Sequence, residues 1–349
     1  NLGGVGCFRL GFGVHFRAPG DFVANFLAFC YYCAMAKKRL LTGLQPSGAL
    51  HIGNYFGALK PVIDRHDEFE SFLMVADYHA LTSLKDAGEL RTNIWGVVLD
   101  YLGAGLDPKH ATIFRQSEVS QHTELAWIFE CLVTVPFLMQ AHAYKDKVAK
   151  GMEPNAGLFN YPMLMAADIL LYSVDFVPVG KDQQQHIEYA REAAAKFNNQ
   201  YGNAFKEPEG IFIPGVDVVP GTDGQKMSKS YKNTIPLFGT KDDIAKAVMS
   251  IVTDSSGERP KNVYDIHKLF RSESELGTIY DTNKNKYKIL KEILIEDVEA
   301  LVAPMRERRK RYEDDPDEVR RIVDLGNDRA REEAENKMRT VRSLIGVRI

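Results

Sequence analysis

Cysteine is scarce in this sequence, which has 4 cysteines among 349 residues. So few thiols cannot build the disulfide framework of a small secreted protein, and we expect a reducing compartment. Cys30 and Cys33 do have the Cys-x-x-Cys spacing of a metal site. Because no second pair of cysteines follows them, the sequence does not favour a zinc site.

An excess of charge of either sign is also missing, since the formal net charge is −3 at pH 7. If the protein binds nucleic acid, it must use a local basic face rather than its overall charge. Hydrophobic residues make up 45% of the chain and charged residues 26%, which is typical of a soluble globular protein. No apolar run is long enough to cross a bilayer comfortably. We therefore expect a cytoplasmic protein that does not bind membranes.

Residues 1–36 differ in composition from the rest of the chain, because they are rich in glycine and phenylalanine and contain one acidic residue, Asp21. They could form a signal peptide or an organellar presequence. We favour a third interpretation, in which Met35 is the natural start and the preceding residues are a start-site artefact. In each case we expect residues 1–36 to lie outside the fold.

The following sequence alternates between short apolar runs and helical patterns. Apolar runs at residues 39–42, 71–76, 111–114 and 175–179 are typical of buried strands. Helical stretches such as residues 90–102 lie between them. Strands that alternate with helices predict an α/β fold with a parallel sheet covered on both faces.

After about residue 233 the strand patterns give way to long helices. These helices are predicted at residues 241–251, 287–301 and 319–344. We therefore predict a Rossmann-like, nucleotide-binding catalytic domain at residues 37–222 and a second, helical domain at residues 223–349. The last helix is expected to pack back onto the first domain.

The segment from Thr42 to Tyr55 joins the first predicted strand to a helix, which is where α/β folds bind nucleotides. The N–H groups at a helix N-terminus suit phosphate. Gly53 lacks the Cβ that would hinder the approach of a flat ring or a phosphate. His51 and Asn54 add hydrogen-bond donors. Taken alone, the segment could equally be a turn before a helix.

A second segment, Lys226–Ser230, places two lysines after the flexible run of residues 220–225. Such a loop is usually solvated surface. Two lysines on a mobile loop can also close over a phosphate group and stabilise the negative charge that grows on a leaving pyrophosphate. This segment comes about 175 residues after the first one, and the pair is more specific than either alone.

Together the two segments resemble the signatures of class I aminoacyl-tRNA synthetases. His51-Ile-Gly-Asn54 is similar to the HIGH signature, with Asn54 in place of the second histidine. Lys226–Ser230 matches the KMSKS signature without a mismatch. The residues that flank the first segment look like the tryptophan branch of this family. The resemblance covers roughly residues 38–345.

The identity of the substrate amino acid is suggested by a predicted helix. Asn160 can cap this helix, and Pro162 lies in its first turn. Its spacing places Tyr161, Met165 and Asp168 on one face. A buried carboxylate needs a partner, and an indole N–H, which can only donate, is a suitable one. Alternatively, Asp168 is a structural residue that binds backbone groups.

Tyrosine-specific relatives have a glutamine at the position of Met165, where an amide can hold the substrate ammonium. A thioether cannot do so, and this favours tryptophan. The resemblance implies that Asp168 accepts the indole N–H and that Leu41 lies in the indole pocket.

The resemblance assigns the other site residues by their positions in the motifs. The implied catalytic residues are His51, Asn54, Lys145, Lys226 and Lys229. The implied ATP-binding residues are Gln45, Pro46, Ser47, Gly53, Asn54, Gly180, Lys181, Asp182, Lys226, Met227, Ser228, Lys229 and Ser230. The implied tryptophan-binding residues are Leu41, Gln45, His79, Tyr161, Met165, Asp168 and Gln183. Taken alone, Asp182 would be a helix cap and His79 a core histidine.

The implied reaction has two steps, with ATP and Mg²⁺ as cofactors and the metal carried by the ATP phosphates. L-tryptophan first attacks ATP, and tRNA(Trp) then takes the activated amino acid. The family implies a homodimer whose helical domain reads the anticodon. The alternatives are a tyrosyl enzyme, another nucleotidyltransferase, or a synthetase-like protein that binds RNA without catalysis.

Overall fold

A sheet of five parallel strands lies at the centre of the part of the chain that the computed structural model describes. The described residues are 37–149, 151, 153–178, 184–211, 219–253 and 259–347. The strands are β1 (Lys38–Leu44), β2 (Phe69–Val75), β3 (Ala111–Arg115), β4 (Phe176–Pro178) and β5 (Glu209–Ile211), and their order across the sheet is β3-β2-β1-β4-β5. The order reverses between β1 and β4, which is where open α/β sheets bind ligands.

The predicted α/β fold is confirmed, since β1 to β4 coincide with the four apolar runs. The fifth strand was not predicted, because β5 has only three residues and Gly210 is a weak strand former. It pairs with β4 at the edge of the sheet. The predictions for residues 1–36, including Cys30 and Cys33, lie outside the described residues.

Helices connect the strands and follow them along the chain. They are α1 (Ile52–Asn54), α2 (Lys60–Ile63), α3 (Asp77–Ala80), α4 (Ala87–Ala104), α5 (Gln121–Glu130), α6 (Val135–Leu138), α7 (His142–Ala149), α8 (Ala156–Leu171), α9 (Gln184–Tyr201), α10 (Lys241–Met249), α11 (Lys261–His267), α12 (Glu273–Thr282), α13 (Tyr287–Asp314) and α14 (Pro316–Leu344). A π-helical turn at Tyr55–Leu59 joins α1 to α2. Among the described residues, every helix is too short or too polar to traverse a bilayer.

The start of α8 differs from the prediction. The helix begins at Ala156, and Asn155 caps it by accepting the N–H of Leu158 at 2.8 Å. The predicted cap at Asn160 was therefore wrong, and Pro162 lies inside the helix rather than in its first turn. Proline favours a first turn because it has no N–H, but tight packing of α8 in the core offsets the one bond that is lost here.

Two hydrophobic clusters cover the two faces of the sheet, because consecutive strand residues point to opposite sides. Leu40 and Leu73 belong to one cluster, whereas Leu41 and Phe72 belong to the other. Residues of α13 and α14 enter these clusters, and Lys38–Ile349 forms one compact unit. The predicted boundary between two domains at residue 222 stays a prediction.

Helix α14 packs directly against β3, which confirms that the last helix returns to the sheet. A Cβ at Gly326 would lie 1.9 Å from the carbonyl oxygen of Ile113, so that only glycine allows this approach. Asn327, the next residue, accepts the N–H of Arg115 at 3.0 Å. Because β3 lies at the edge of the sheet, this side chain satisfies a backbone N–H for which no neighbouring strand is present.

Gly326→Ala is expected to lower the free energy of unfolding by about 3 kcal/mol or more, because the added methyl group forces α14 away from β3. Urea unfolding monitored by circular dichroism measures this change. Gly277→Ala in α12 is the matched control, since a Cβ there meets nothing within 4 Å. The control is expected to raise stability by about 1 kcal/mol. An equal effect of both variants would contradict the close approach at Gly326.

Candidate active site

A cavity of about 660 Å³ opens beyond the carboxyl ends of β1, β2 and β4. Many of the predicted site residues line it, although they come from distant parts of the chain. These are Leu41, Gln45, His51, Gly53, Asn54, His79, Tyr161, Met165, Asp168, Lys226, Met227, Ser228 and Ser230. A smaller cavity of about 210 Å³ shares part of this wall and adds Ser47 and Lys229. The fold therefore brings most of the predicted site together.

The remaining predicted residues differ in their positions. Residues 180–183, which include Gly180, Lys181, Asp182 and Gln183, lie outside the described residues. Pro46 is buried, and the residues before and after it, Gln45 and Ser47, line the cavities. Lys145 is exposed on α7 and, within the described part of the chain, lines neither cavity. Its role as a phosphate contact stays a prediction.

The loop after β1 is held by backbone hydrogen bonds to the segment that follows the lysine loop. The N–H of Ile52 donates to the carbonyl of Ile235 at 3.0 Å, and the N–H of Leu237 donates to the carbonyl of Leu50 at 3.0 Å. Asn54 Oδ1 accepts the N–H of His51 at 3.0 Å. The short helix α1 therefore begins in a fixed position at the cavity wall.

His51 lies over Gly53, and its side chain is 8% exposed. A Cβ at Gly53 would lie 2.8 Å from His51 Nδ1. The glycine therefore leaves room for the imidazole ring of His51. Burial lowers the pKa of His51 to about 4, and the positive charge of Lys229 adds to this effect. The imidazole is neutral at physiological pH and can donate one hydrogen bond.

Lys229 joins the two signature segments, which are about 180 residues apart. Its Nζ donates to the carbonyl of Gly48 at 2.7 Å and to the carbonyl and hydroxyl oxygens of Ser47 at 3.1 and 3.3 Å. Burial lowers the pKa of this ammonium. The lysine loop therefore closes against the loop after β1 in the structure.

Asp168 lies at the inner end of the cavity-lining face of α8 and is 2% exposed. Its Oδ2 is 2.9 Å from His79 Nε2, and its Oδ1 is 2.6 Å from His122 Nδ1. Gln116 Nε2 donates to the same carboxylate at 2.8 Å. Burial acts to raise the pKa of Asp168, but the contacts with His122 and His79 outweigh it and lower this pKa to about 2. The carboxylate is therefore ionised and already oriented.

Gln116 and His122 are site residues that the sequence analysis missed. Gln116 directly follows β3, and His122 is in α5. The position of Gln116 could have been recognised, because residues just beyond the carboxyl ends of parallel strands tend to face the ligand site. No sequence signal marks His122, whose role depends on a contact with a helix that comes later in the chain.

Comparison with known proteins agrees with this geometry. Residues 35–313 match the family model described as tRNA synthetases class I (W and Y). The chain is 47% identical to the tryptophan–tRNA ligase of Fusobacterium nucleatum over 319 residues, which are 89% of this chain and 98% of that protein. It is 44% identical to the tryptophan–tRNA ligase of Campylobacter jejuni over 318 residues, which are 88% of this chain and 100% of the relative.

A solved structure agrees as well. The tryptophanyl-tRNA synthetase from Campylobacter jejuni, crystallised in complex with ADP and tryptophan, has a TM-score of 0.81 and 42% identity to this chain. The match covers 88% of this chain and 99% of that one. On the combined evidence of motifs, fold and relatives, the chain belongs to the class I tRNA synthetases of the tryptophan and tyrosine group, as one of the tryptophan–tRNA ligases.

Proposed function

We propose that the cavity binds L-tryptophan and ATP next to each other and joins them as tryptophanyl-adenylate, from which tRNA(Trp) takes the amino acid. The observation that carries this proposal is the contact of Lys229 with Ser47 and Gly48 beside a cavity that also contains Asp168. A cationic loop thus lies next to a pocket with an ionised acceptor. The phosphates of ATP complement the positive charge of this loop. An aromatic amino acid with one ring N–H complements the ionised acceptor.

In the tryptophan pocket, Asp168 would accept the indole N–H. His79, Gln116 and His122 hold this carboxylate before the substrate arrives, so little ordering is needed on binding. Met165 and Tyr161 line the cavity about one and two helical turns before Asp168 and would contact the indole. We place Leu41, Gln45 and Gln183 in the same pocket on the basis of the family resemblance.

In the ATP pocket, the loop after β1 and the lysine loop would hold the nucleotide from two sides. The neutral imidazole of His51 and the amide of Asn54 can donate hydrogen bonds to phosphate oxygens without a change of charge. Lys226 and Lys229 add positive charge. We include Pro46, Gly53, Met227, Ser228 and Ser230 among the contacts, and also Gly180, Lys181 and Asp182. Lys145 would reach the phosphates from α7.

The first step needs no nucleophile from the protein. The tryptophan carboxylate attacks the α-phosphorus, the bond to the bridging oxygen breaks, and pyrophosphate leaves with the electron pair. Positioning and charge stabilisation then provide the catalysis, and Lys226 and Lys229 act where the negative charge grows. We propose that Mg²⁺ enters as part of the ATP complex.

In the second step a terminal ribose hydroxyl of tRNA(Trp) attacks the carbonyl carbon of the adenylate, and AMP leaves. We propose that the helical region from residue 223 onward reads the anticodon of this tRNA. We also propose a cytoplasmic homodimer. The side chains of Trp127 on α5, Val135 on α6 and Met139 directly after α6 are large, apolar and exposed, and they lie close together in sequence. Subunit contact would remove this apolar surface from water.

Exchange of labelled pyrophosphate into ATP, measured with all twenty amino acids side by side, tests the proposed function. We expect exchange with tryptophan alone, because only its indole combines an apolar ring system with a single N–H donor for Asp168. Exchange with tyrosine would contradict the proposed pocket while preserving the reaction. Absence of exchange with every amino acid would contradict the reaction itself.

A further inference from the structure

One buried amide, that of Asn233, holds the lysine loop. Asn233 is 2% exposed. Its Oδ1 accepts the N–H of Ser228 at 2.8 Å, and its Nδ2 donates to the carbonyl of Lys226 at 3.1 Å. Nδ2 also donates to Asp223 Oδ1 at 2.7 Å. A single side chain thus bonds the backbone on both sides of Met227.

The neighbouring backbone leaves room for this amide. The N–H of Thr222 donates to the carbonyl of Asn233 at 3.0 Å. A Cβ at Gly221 would lie 2.2 Å from Asn233 Nδ2, so that the amide occupies space which exists only because residue 221 is glycine. Between the two points held by Asn233, the N–H of Met227 donates to the carbonyl of Val219 at 2.9 Å. The backbone before Lys229 is therefore bonded at three successive residues.

The lysine side chains do not by themselves fix the backbone of the loop. Lysine has a flexible four-carbon stem, and fixing it in one place costs conformational entropy. Lys229 is held at its far end by Ser47 and Gly48. ATP phosphates would compete for the same ammonium group, and during that exchange the loop backbone must keep its position. Asn233 bonds only the backbone of the loop, so it does not compete with the substrate for the ammonium groups.

We propose that Asn233 is a positioning residue for adenylate formation, which holds the loop backbone so that Lys226 and Lys229 remain beside the cavity while ATP binds and reacts. This inference rests on the proposed role of the lysine loop. It assigns Asn233 no contact with the substrate. Asp223 supports it from the other side by fixing the orientation of the amide.

The first test compares Asn233→Ala with Asn198→Ala. The side chain of Asn198 also makes three hydrogen bonds, all of them to backbone groups of Ala204 and Phe205, and it does not line the described cavities. We expect Asn233→Ala to lower kcat for tryptophan-dependent pyrophosphate exchange by on the order of 10- to 100-fold, as small misplacements of reacting groups do. The KM for tryptophan should stay within twofold. Asn198→Ala should lower the thermal midpoint comparably but leave kcat within twofold.

The second test exchanges the donor and the acceptor of the hydrogen bond between Asn233 and Asp223. Asn233→Asp places a second carboxylate against Asp223, and the two repel each other. The double variant Asp223→Asn/Asn233→Asp restores one donor and one acceptor. We expect its kcat to exceed that of Asn233→Asp but to stay below that of the wild type, because the repulsion is removed while the bond from residue 233 to the carbonyl of Lys226 is still missing.

Three outcomes would overturn the inference. These are a kcat within twofold of wild type for Asn233→Ala, an equal loss of kcat for Asn198→Ala, or a double variant no better than Asn233→Asp. Lys229→Ala separates this inference from the proposed function. If Lys229→Ala is inactive while Asn233→Ala is normal, only the role of Asn233 fails. If Lys229→Ala keeps full activity, the proposed role of the lysine loop fails, and the role of Asn233 fails with it.

Discussion

Lys229→Ala is expected to lower kcat for tryptophan-dependent pyrophosphate exchange by about 100- to 1000-fold, which is typical of removing one preorganised group that stabilises transition-state charge. The affinity for tryptophan should stay within twofold, because Lys229 contacts Ser47 and Gly48 rather than the indole pocket. Burial lowers the pKa of Lys229, because the ammonium group has lost part of its contact with water before ATP binds. Such a charge interacts more strongly with phosphate than a fully hydrated one.

Exchange kinetics and calorimetric titration with tryptophan provide the two readouts. Lys246→Ala is the control, since Lys246 is exposed on α10 and does not line the cavities of the described structure. It is expected to leave both readouts unchanged. If Lys229→Ala weakened tryptophan binding as much as it lowered kcat, the lysine would act on the pocket as a whole rather than on the phosphates.

Asp168→Asn is expected to weaken tryptophan binding by about tenfold or more, which corresponds to at least 1.4 kcal/mol. An amide offers a weaker acceptor to the indole N–H than an ionised carboxylate does. It also loses the attraction to His79 and His122 that orients the group. Isothermal titration with tryptophan in the absence of ATP measures this affinity directly.

Asp297→Asn is the matched control for Asp168. Asp297 is also a largely buried carboxylate that contacts a histidine, His267, but it lies on α13 and does not line the described cavity. Both variants are expected to lower the free energy of unfolding, because each leaves buried donors without a charged acceptor. Only Asp168→Asn should lose affinity for tryptophan. An unchanged affinity would remove Asp168 from the substrate pocket.

Much of the fold could be predicted because buried parallel strands leave a direct trace in the sequence. The strands β1 to β4 are apolar runs, since both faces of the sheet are covered. The edge strand β5 left no such trace, because its three residues gain their structure from pairing with β4. The start of α8 was misjudged for a similar reason. Asn155 and Asn160 are equally good caps by residue type, and packing decides between them.

The site residues also divide into those that the sequence could predict and those that it could not. Residues of the two signature segments could be identified, because the segments resemble the signatures of a known family. Gln116 was missed although its position directly after β3 is a sequence signal, whereas nothing in the sequence marks His122 and Asn233, which are buried and hydrogen-bonded. Their roles depend on neighbours that the fold brings to them. The sequence motifs predict which groups meet the substrate, and the structure shows which groups hold them.

The contact between Asn327 and Arg115 has a consequence for the way this chain is made. The two residues are 212 positions apart, and the last strand that the structure describes ends at Ile211. During translation the ribosome therefore releases every one of these strands well before it releases α14. Until then the N–H of Arg115 lacks its partner, and the exposed edge of β3 can pair with another nascent chain. We therefore expect chains that end before Gly326 to aggregate more readily than the full chain.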